Sequence, residues 1–173
     1  MPGSLVKIQE TSVSSATASV TLSGINSTYD VYYIEYNNVK PVNDVVTLNL
    51  RVTESGTANS TSNYDVSYTL LRSTTAFYYA GGENADKGMI TADTTGTNTG
   101  EEVSGFLYVF NANDSGKATN FSNENNFIEH NGNFQATSGQ ITFTNTSAVD
   151  GVQFLFSAGN IASGDFKIYG FDN

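Results

Sequence analysis

The chain has no cysteine and no tryptophan. The first absence excludes disulfide staples, thiolate-bound zinc and thiol nucleophiles. The second removes the ring that most often stacks on sugars in carbohydrate modules. Cations are scarce: seven Lys and Arg against 17 Asp and Glu leave a net charge of −10. They stand singly, as Lys7, Lys40, Arg51, Arg72, Lys87, Lys117 and Lys167. No basic stripe can therefore form a phosphate-binding footprint, and nucleic-acid binding is not expected. Apolar runs reach only about four residues, so membrane insertion is not expected either. The opening Met1-Pro2-Gly3-Ser4-Leu5 lacks the basic and apolar regions of a secretion signal. The expectation is action in the cytoplasm, or exit by a route that needs no signal.

What the chain does contain is small and polar, or aromatic. Ser, Thr and Asn number 60 of 173 residues, and charged residues make up only 14%. The surface is therefore built from small hydrogen-bonding side chains rather than ions. Ten Tyr and 11 Phe supply large buried areas. The length suits one domain over residues 1–173, able to bury roughly 70% of the surface its unfolded chain exposes.

Two-residue alternation dominates. Val46, Leu48, Leu50 and Val52 point one way, while Thr47, Asn49 and Arg51 point the other. The pattern returns at Tyr64, Val66, Tyr68 and Leu70, at Phe106, Tyr108 and Phe110, at Val152, Phe154 and Phe156, and at Phe166, Ile168 and Gly170. Shorter runs lie at 5–10, 18–22, 31–36, 76–80 and 140–144. No stretch shows a helical period. The fold class is therefore all-β with about nine to eleven strands. A single open sheet would leave one apolar face wet, so two packed sheets or a closed barrel are required, and an antiparallel β-sandwich of jelly-roll type best accommodates the long uneven loops. Long loops are expected at 54–63, 81–102 and 111–133. The second reads as a surface excursion or a partner-ordered arm.

Candidate chemistry is thin. His130 is the only histidine, and its surroundings Asn126-Phe127-Ile128-Glu129-His130-Asn131-Gly132 lack a nucleophile elbow. A surface histidine without a catalytic role is the preferred reading. Glu101-Glu102 is the obvious carboxylate doublet, but adjacent strand residues point to opposite faces. Asp44, Glu54, Asp86, Asp93 and Asp150 could meet only through folding, so a glycoside hydrolase-like enzyme is a remote alternative. Asn111-Ala112-Asn113-Asp114-Ser115-Gly116 imitates the start of a calcium loop. Its twelfth position is Ser122 rather than Glu, so a β-turn is expected. No cofactor or metal is expected. Asn-x-Ser/Thr triplets at Asn26, Asn59, Asn113, Asn120 and Asn145 follow from composition alone.

Aromatic triplets carry more. Tyr32, Tyr33 and Tyr36 share one strand, and Phe77, Tyr78 and Tyr79 another. Neighbours along a strand face opposite ways, so one ring of each set must leave the core. Tyr32, Tyr33, Tyr36, Tyr78 and Tyr79 are therefore the candidate interface or glycan contacts. Interface or cross-strand pairing is preferred over a sugar.

Several segments together resemble a family of small virion structural proteins of tailed bacteriophages, particularly those infecting marine cyanobacteria. They are the opening Met1-Pro2-Gly3-Ser4-Leu5-Val6-Lys7-Ile8 with Ser14-Ser15-Ala16, and then Tyr29-Asp30-Val31-Tyr32-Tyr33-Ile34. Val39-Lys40-Pro41-Val42-Asn43-Asp44, Leu48-Asn49-Leu50-Arg51-Val52 and Asn63-Tyr64-Asp65 follow in the family's order. The ending Ala158-Gly159-Asn160-Ile161-Ala162-Ser163-Gly164-Asp165-Phe166-Lys167-Ile168-Tyr169-Gly170 is similar to its C-terminal hairpin. The stretch 74–133 carries no resemblance. These are strand and turn signatures, with no catalytic residues to transfer. The resemblance implies a non-enzymatic virion protein, either a capsid decoration or knob or a fibre component, released by lysis. Its partners would be other virion proteins and further copies of itself. A receptor-binding fibre head that grips host-surface glycan is the alternative. Residues 2–10 and 81–102 are the expected intersubunit contacts.

Overall fold

The computed structural model describes residues 4–74 and 77–172, and every regular element among them is a β-strand. In chain order these are β1 (Ser4–Val13), β2 (Val20–Ser23), β3 (Val31–Pro41), β4 (Leu48–Glu54), β5 (Thr57–Ala58), β6 (Tyr64–Arg72) and β7 (Tyr78–Ala85). They continue with β8 (Gly88–Met89), β9 (Val103–Phe110), β10 (Thr119–Ile128), β11 (Phe134–Phe143), β12 (Gly151–Phe156) and β13 (Ile161–Asp172). Two are only two residues long. The eleven longer strands match the upper end of the expected number.

All pairings are antiparallel. One sheet has eight strands in the order β1-β13-β3-β9-β10-β11-β6-β7, and the other five in the order β2-β12-β4-β5, with β8 also on β4. The two sheets pack as a sandwich. Inward rings meet across it: Tyr36 of β3 lies 5.8 Å from Phe154 of β12, which lies 5.1 Å from Phe166 of β13. The Tyr64 hydroxyl also crosses between the sheets, accepting the Val52 N–H at 3.0 Å and donating to the Asn59 carbonyl at 2.8 Å. Burial of Val20, Leu22, Leu48, Leu50 and Val52 against Ile34, Leu107, Phe121 and Phe143 completes one continuous core. Each such side chain contributes roughly 1.5–3 kcal/mol on leaving water.

Five strands cannot cover eight. Part of the inward surface of β10 and β11 is closed instead by residues 90–95, and that lid is polar. Asn123 and Asn125 donate through their amide nitrogens to the Ile90 carbonyl at 2.8 and 2.9 Å, and the Ala92 N–H donates to Thr137 Oγ1 at 3.0 Å. Gln135 reaches Asp93 Oδ2 at 3.1 Å. Ile90, Thr91 and Thr95 are fully buried. The stretch 81–102 is thus not a free arm. It contains the end of β7 and all of β8 and then seals the core, because β10 and β11 offer buried donors and acceptors that its backbone and the Asp93 side chain satisfy.

The same polar seam explains a second difference. Residues 111–133 are expected as a loop, yet β10 occupies Thr119–Ile128 in mid-sheet. Its inward positions are Thr119, Phe121, Asn123, Asn125 and Phe127. Buried Asn at two of five sites hides the apolar alternation. A third difference concerns β9. Phe106, Tyr108 and Phe110 do alternate, but the inward residues are Val103, Leu107 and Val109, and the rings point to solvent. Apolar residues stand on both sides of this strand, so alternation finds the strand and leaves its facing open. Of the expected strand at 76–80, Ala76 lies outside the described residues, as do Pro2 and Gly3 of the expected contact segment 2–10; β1 begins at Ser4.

Gly105 sits inward on β9 where Tyr36 needs room. A Cβ there would lie 2.4 Å from the Glu124 carbonyl oxygen and 2.6 Å from the Tyr36 hydroxyl, which donates to Asn123 Oδ1 at 3.0 Å. Gly105→Ala is expected to destabilise the fold by about 2–3 kcal/mol, the upper range for overpacking, measured by urea unfolding. A second expectation concerns alkali. Burial holds the Tyr64 phenol up at about 12 and pushes Tyr36 further in the same direction. An unfolded phenol ionises near pH ~10. The folded chain therefore keeps protons that the unfolded chain has lost. This stability is complete below pH ~10 and disappears as pH rises toward 12. Urea midpoints should fall across that window, and Tyr64→Phe should make the fall shallower while lowering stability at neutral pH.

Candidate functional site

The outward face of β3 follows from its inward one. Tyr32, Ile34 and Tyr36 are buried, so Tyr33 and Glu35 face solvent. Tyr32 and Tyr36 are therefore core residues and leave the set of candidate surface contacts, while Tyr33 remains in it. The register brings Tyr33 beside Tyr108 of β9 and Tyr169 of β13, and Val31 beside Phe110. Leu5 of β1 lies beside Phe171. The result is a shelf of six rings across three adjacent strands. Tyr108 is its hub, with ring centroids at 5.4 Å from Tyr33, 5.8 Å from Phe106, 5.9 Å from Phe171 and 6.4 Å from Phe110. Tyr33 also meets Phe106 at 5.8 Å and Tyr169 at 6.0 Å. Such cross-strand aromatic pairs stabilise the sheet by ~0.5–1 kcal/mol each. Cross-strand pairing thus accounts for the rings' mutual packing, and their outer surfaces stay open.

A polar frame surrounds the shelf. Glu35 Oε1 accepts from Lys167 Nζ at 2.9 Å and from the Tyr169 hydroxyl at 3.2 Å. Burial first, and then the Glu35 carboxylate, raise the Tyr33 and Tyr169 phenols above their ordinary value. On the far side Asn120 and Thr142, then Ser122 and Gln140, form hydrogen-bonded cross-strand pairs.

Two concavities lie at one end of the shelf, lined by residues adjacent along the chain at 30–31 and 110–111. Val31, Tyr108, Phe110 and Phe171 line a shallow depression of about 350 Å³. The turns before β3 and after β9 enclose a hollow of about 330 Å³, lined by Asn26, Ser27, Asp30, Asn111, Asn113 and Lys117 among others. Tyr32 builds this hollow from within. Its hydroxyl accepts the Asn26 N–H at 2.8 Å and donates to the Asn26 carbonyl at 2.6 Å. Asn111 adopts φ 60° and accepts the Asp114 N–H at 3.2 Å, giving the expected turn. Lys117 pairs with Asp114 at 2.9 Å.

Tyr78 and Tyr79 lie far from the shelf, on β7, the opposite edge strand. They are 48% and 80% exposed, and the preceding Phe77 is 73% exposed. Arg72 stacks over Tyr78 at 5.5 Å.

The remaining candidates are dispersed. His130 Nδ1 lies 2.8 Å from Thr94 Oγ1 and 3.1 Å from Glu129 Oε2, and Asn131 faces Nε2 at 2.9 Å. Thr94 and Glu129 share one ring nitrogen, so this is not the two-sided relay of a catalytic triad. Glu129 is buried, which raises its carboxyl, but donors from Asn131 and Asn133 outweigh this and hold it below its usual value. Glu101 is buried and accepts from Asn98, while Glu102 pairs with Lys40 at 3.4 Å. Asp86 is held low by Lys87 and Arg51, Asp93 pairs with Arg72, and Asp150 ties Thr53 and Gly56. Glu54 accepts from Asn59, and Asp44 from the Val45 N–H. Each of these acids is spent on a loop contact of its own. Among the described residues, no three His, Cys, Asp or Glu gather as a metal would need.

No protein-family model matches this chain, and no curated protein matches it either.

Tyr32→Phe should remove both hydroxyl contacts to Asn26, costing about 1–2 kcal/mol. Amide exchange at Asn26 and Thr28 should accelerate while the centre of β3 stays protected.

Proposed function

We propose that this chain is a structural module of a virus particle, a capsid decoration or fibre component that works by assembly and not by catalysis. The observation that carries the reading is the open edge strand β7. Sheet edges are ordinarily blunted by Lys, Pro or a covering loop. β7 has neither Lys nor Pro and displays Tyr78 and Tyr79, with Phe77 just before it. Such an edge suits a neighbouring subunit, whether another virion protein or a further copy of this chain. The aromatic shelf lies at the other end of the same sheet. Four strand spacings separate β9 from β7, about 19 Å at ~4.8 Å each. Attachment through β7 leaves the shelf turned outward. The resemblance of its strand and turn segments, in their order, to those of phage virion proteins points the same way.

The test is occupancy. Purified particles should carry the chain at regular positions in electron-microscopic density. Tyr78→Asp with Tyr79→Asp should deplete it from them, while the isolated variant unfolds within ~0.5 kcal/mol of the parent, as exposed changes usually do. Particles that lack the chain altogether would end this reading.

A further inference from the structure

We infer that the aromatic shelf of β3, β9 and β13, together with the hollow beside it, binds an uncharged saccharide chain. This deepens the assembly reading and rests on it, since the shelf must look outward from the particle. A sugar ring has a face of C–H groups and a rim of hydroxyls. A site for it needs open aromatic planes next to many small donors and acceptors. The depression over Tyr108, Phe110 and Phe171 supplies the planes, and at about 350 Å³ it falls in the size range of small-ligand sites.

The hollow supplies the donors and acceptors, and it is contiguous with the shelf through the chain itself. Asp30 precedes Val31, and Asn111 follows Phe110, the pair that closes the shelf. The side chains of Ser27, Asp30, Asn111 and Asn113 have no hydrogen-bond partner among the described residues. They are free to meet hydroxyls. A protein laid over this hollow would strip water from those groups and would have to pair each of them. A polyhydroxyl chain brings a partner at every ring.

Charge narrows the class. Lys167 is engaged by Glu35, Lys117 by Asp114 and Lys7 by Glu10. Among the described residues no unpaired Lys or Arg therefore stands near the shelf, and the whole chain carries −10. Sulfated and uronic acid chains are repelled.

The test titrates the full chain with hexasaccharides of β-glucan, xylan, mannan and starch type, with chondroitin sulfate as the anionic comparison. At least one neutral hexasaccharide should bind in the millimolar range or tighter. Phe110→Ala and Asn113→Ala should each weaken it about tenfold, and Tyr79→Ala should leave it unchanged. Phe110 is 37% exposed and Asn113 lies in a turn, so both variants should keep the parent's circular dichroism. Failure of every neutral probe, indifference to both substitutions, or tighter binding of chondroitin sulfate would overturn the inference. So would self-association in sedimentation that Phe110→Ala abolishes, since a second copy would then occupy the shelf. The titration uses isolated protein, so a negative result leaves the particle reading to its own occupancy test.

Discussion

Eight strands packed on five leave inner surface that the smaller sheet cannot reach, and the rest of the structure answers that mismatch. Residues 90–95 close the gap, so β10 and β11 present Asn123, Asn125, Gln135 and Thr137 inward, where apolar side chains would have lacked partners for the lid's backbone. The stretch between β8 and β9 is thereby a structural element rather than a free excursion. Its buried Thr95 and Glu101 fasten it to itself.

The outer face of the large sheet is governed by the opposite condition. With no layer above it, side chains there must pair with each other across strands. Tyr33, Tyr108, Tyr169, Phe106, Phe110 and Phe171 do so as a ladder of rings, and Glu35 and Lys167 close one border. All seven basic residues are committed to ion pairs. Exposed pairs of this kind add little stability, ~0–1 kcal/mol each. Their consequence is that the surplus negative charge stands uncompensated, which shapes what can approach the surface.

Strand and fold class were legible where alternation combined apolar residues on one side with mostly polar residues on the other, as in β4 and β6. Legibility failed where that contrast disappeared. In β10 inward Asn imitated a loop, and in β9 outward rings imitated a core. Of the aromatic site, Tyr33 was legible because Tyr32 and Tyr33 cannot face the same way. Tyr36 could not be assigned to the core without knowing that Gly105 leaves space for its hydroxyl. Phe110, Tyr108, Tyr169 and Phe171 were not legible as site residues, since nothing local says that β13, β3 and β9 are neighbours.

By itself the sequence determined that the chain is all-β, that a single open sheet cannot hold it, and that its chemistry comes from aromatic and small polar side chains. Those conclusions depend on composition and on the two-residue period of a strand, both local properties. Only the tertiary structure decided which face of each strand is wet, which loop seals the core, and which rings form one shelf. Those depend on strand order and register between residues more than a hundred positions apart, such as Tyr33 and Tyr169. Only closure of the whole sheet sets them.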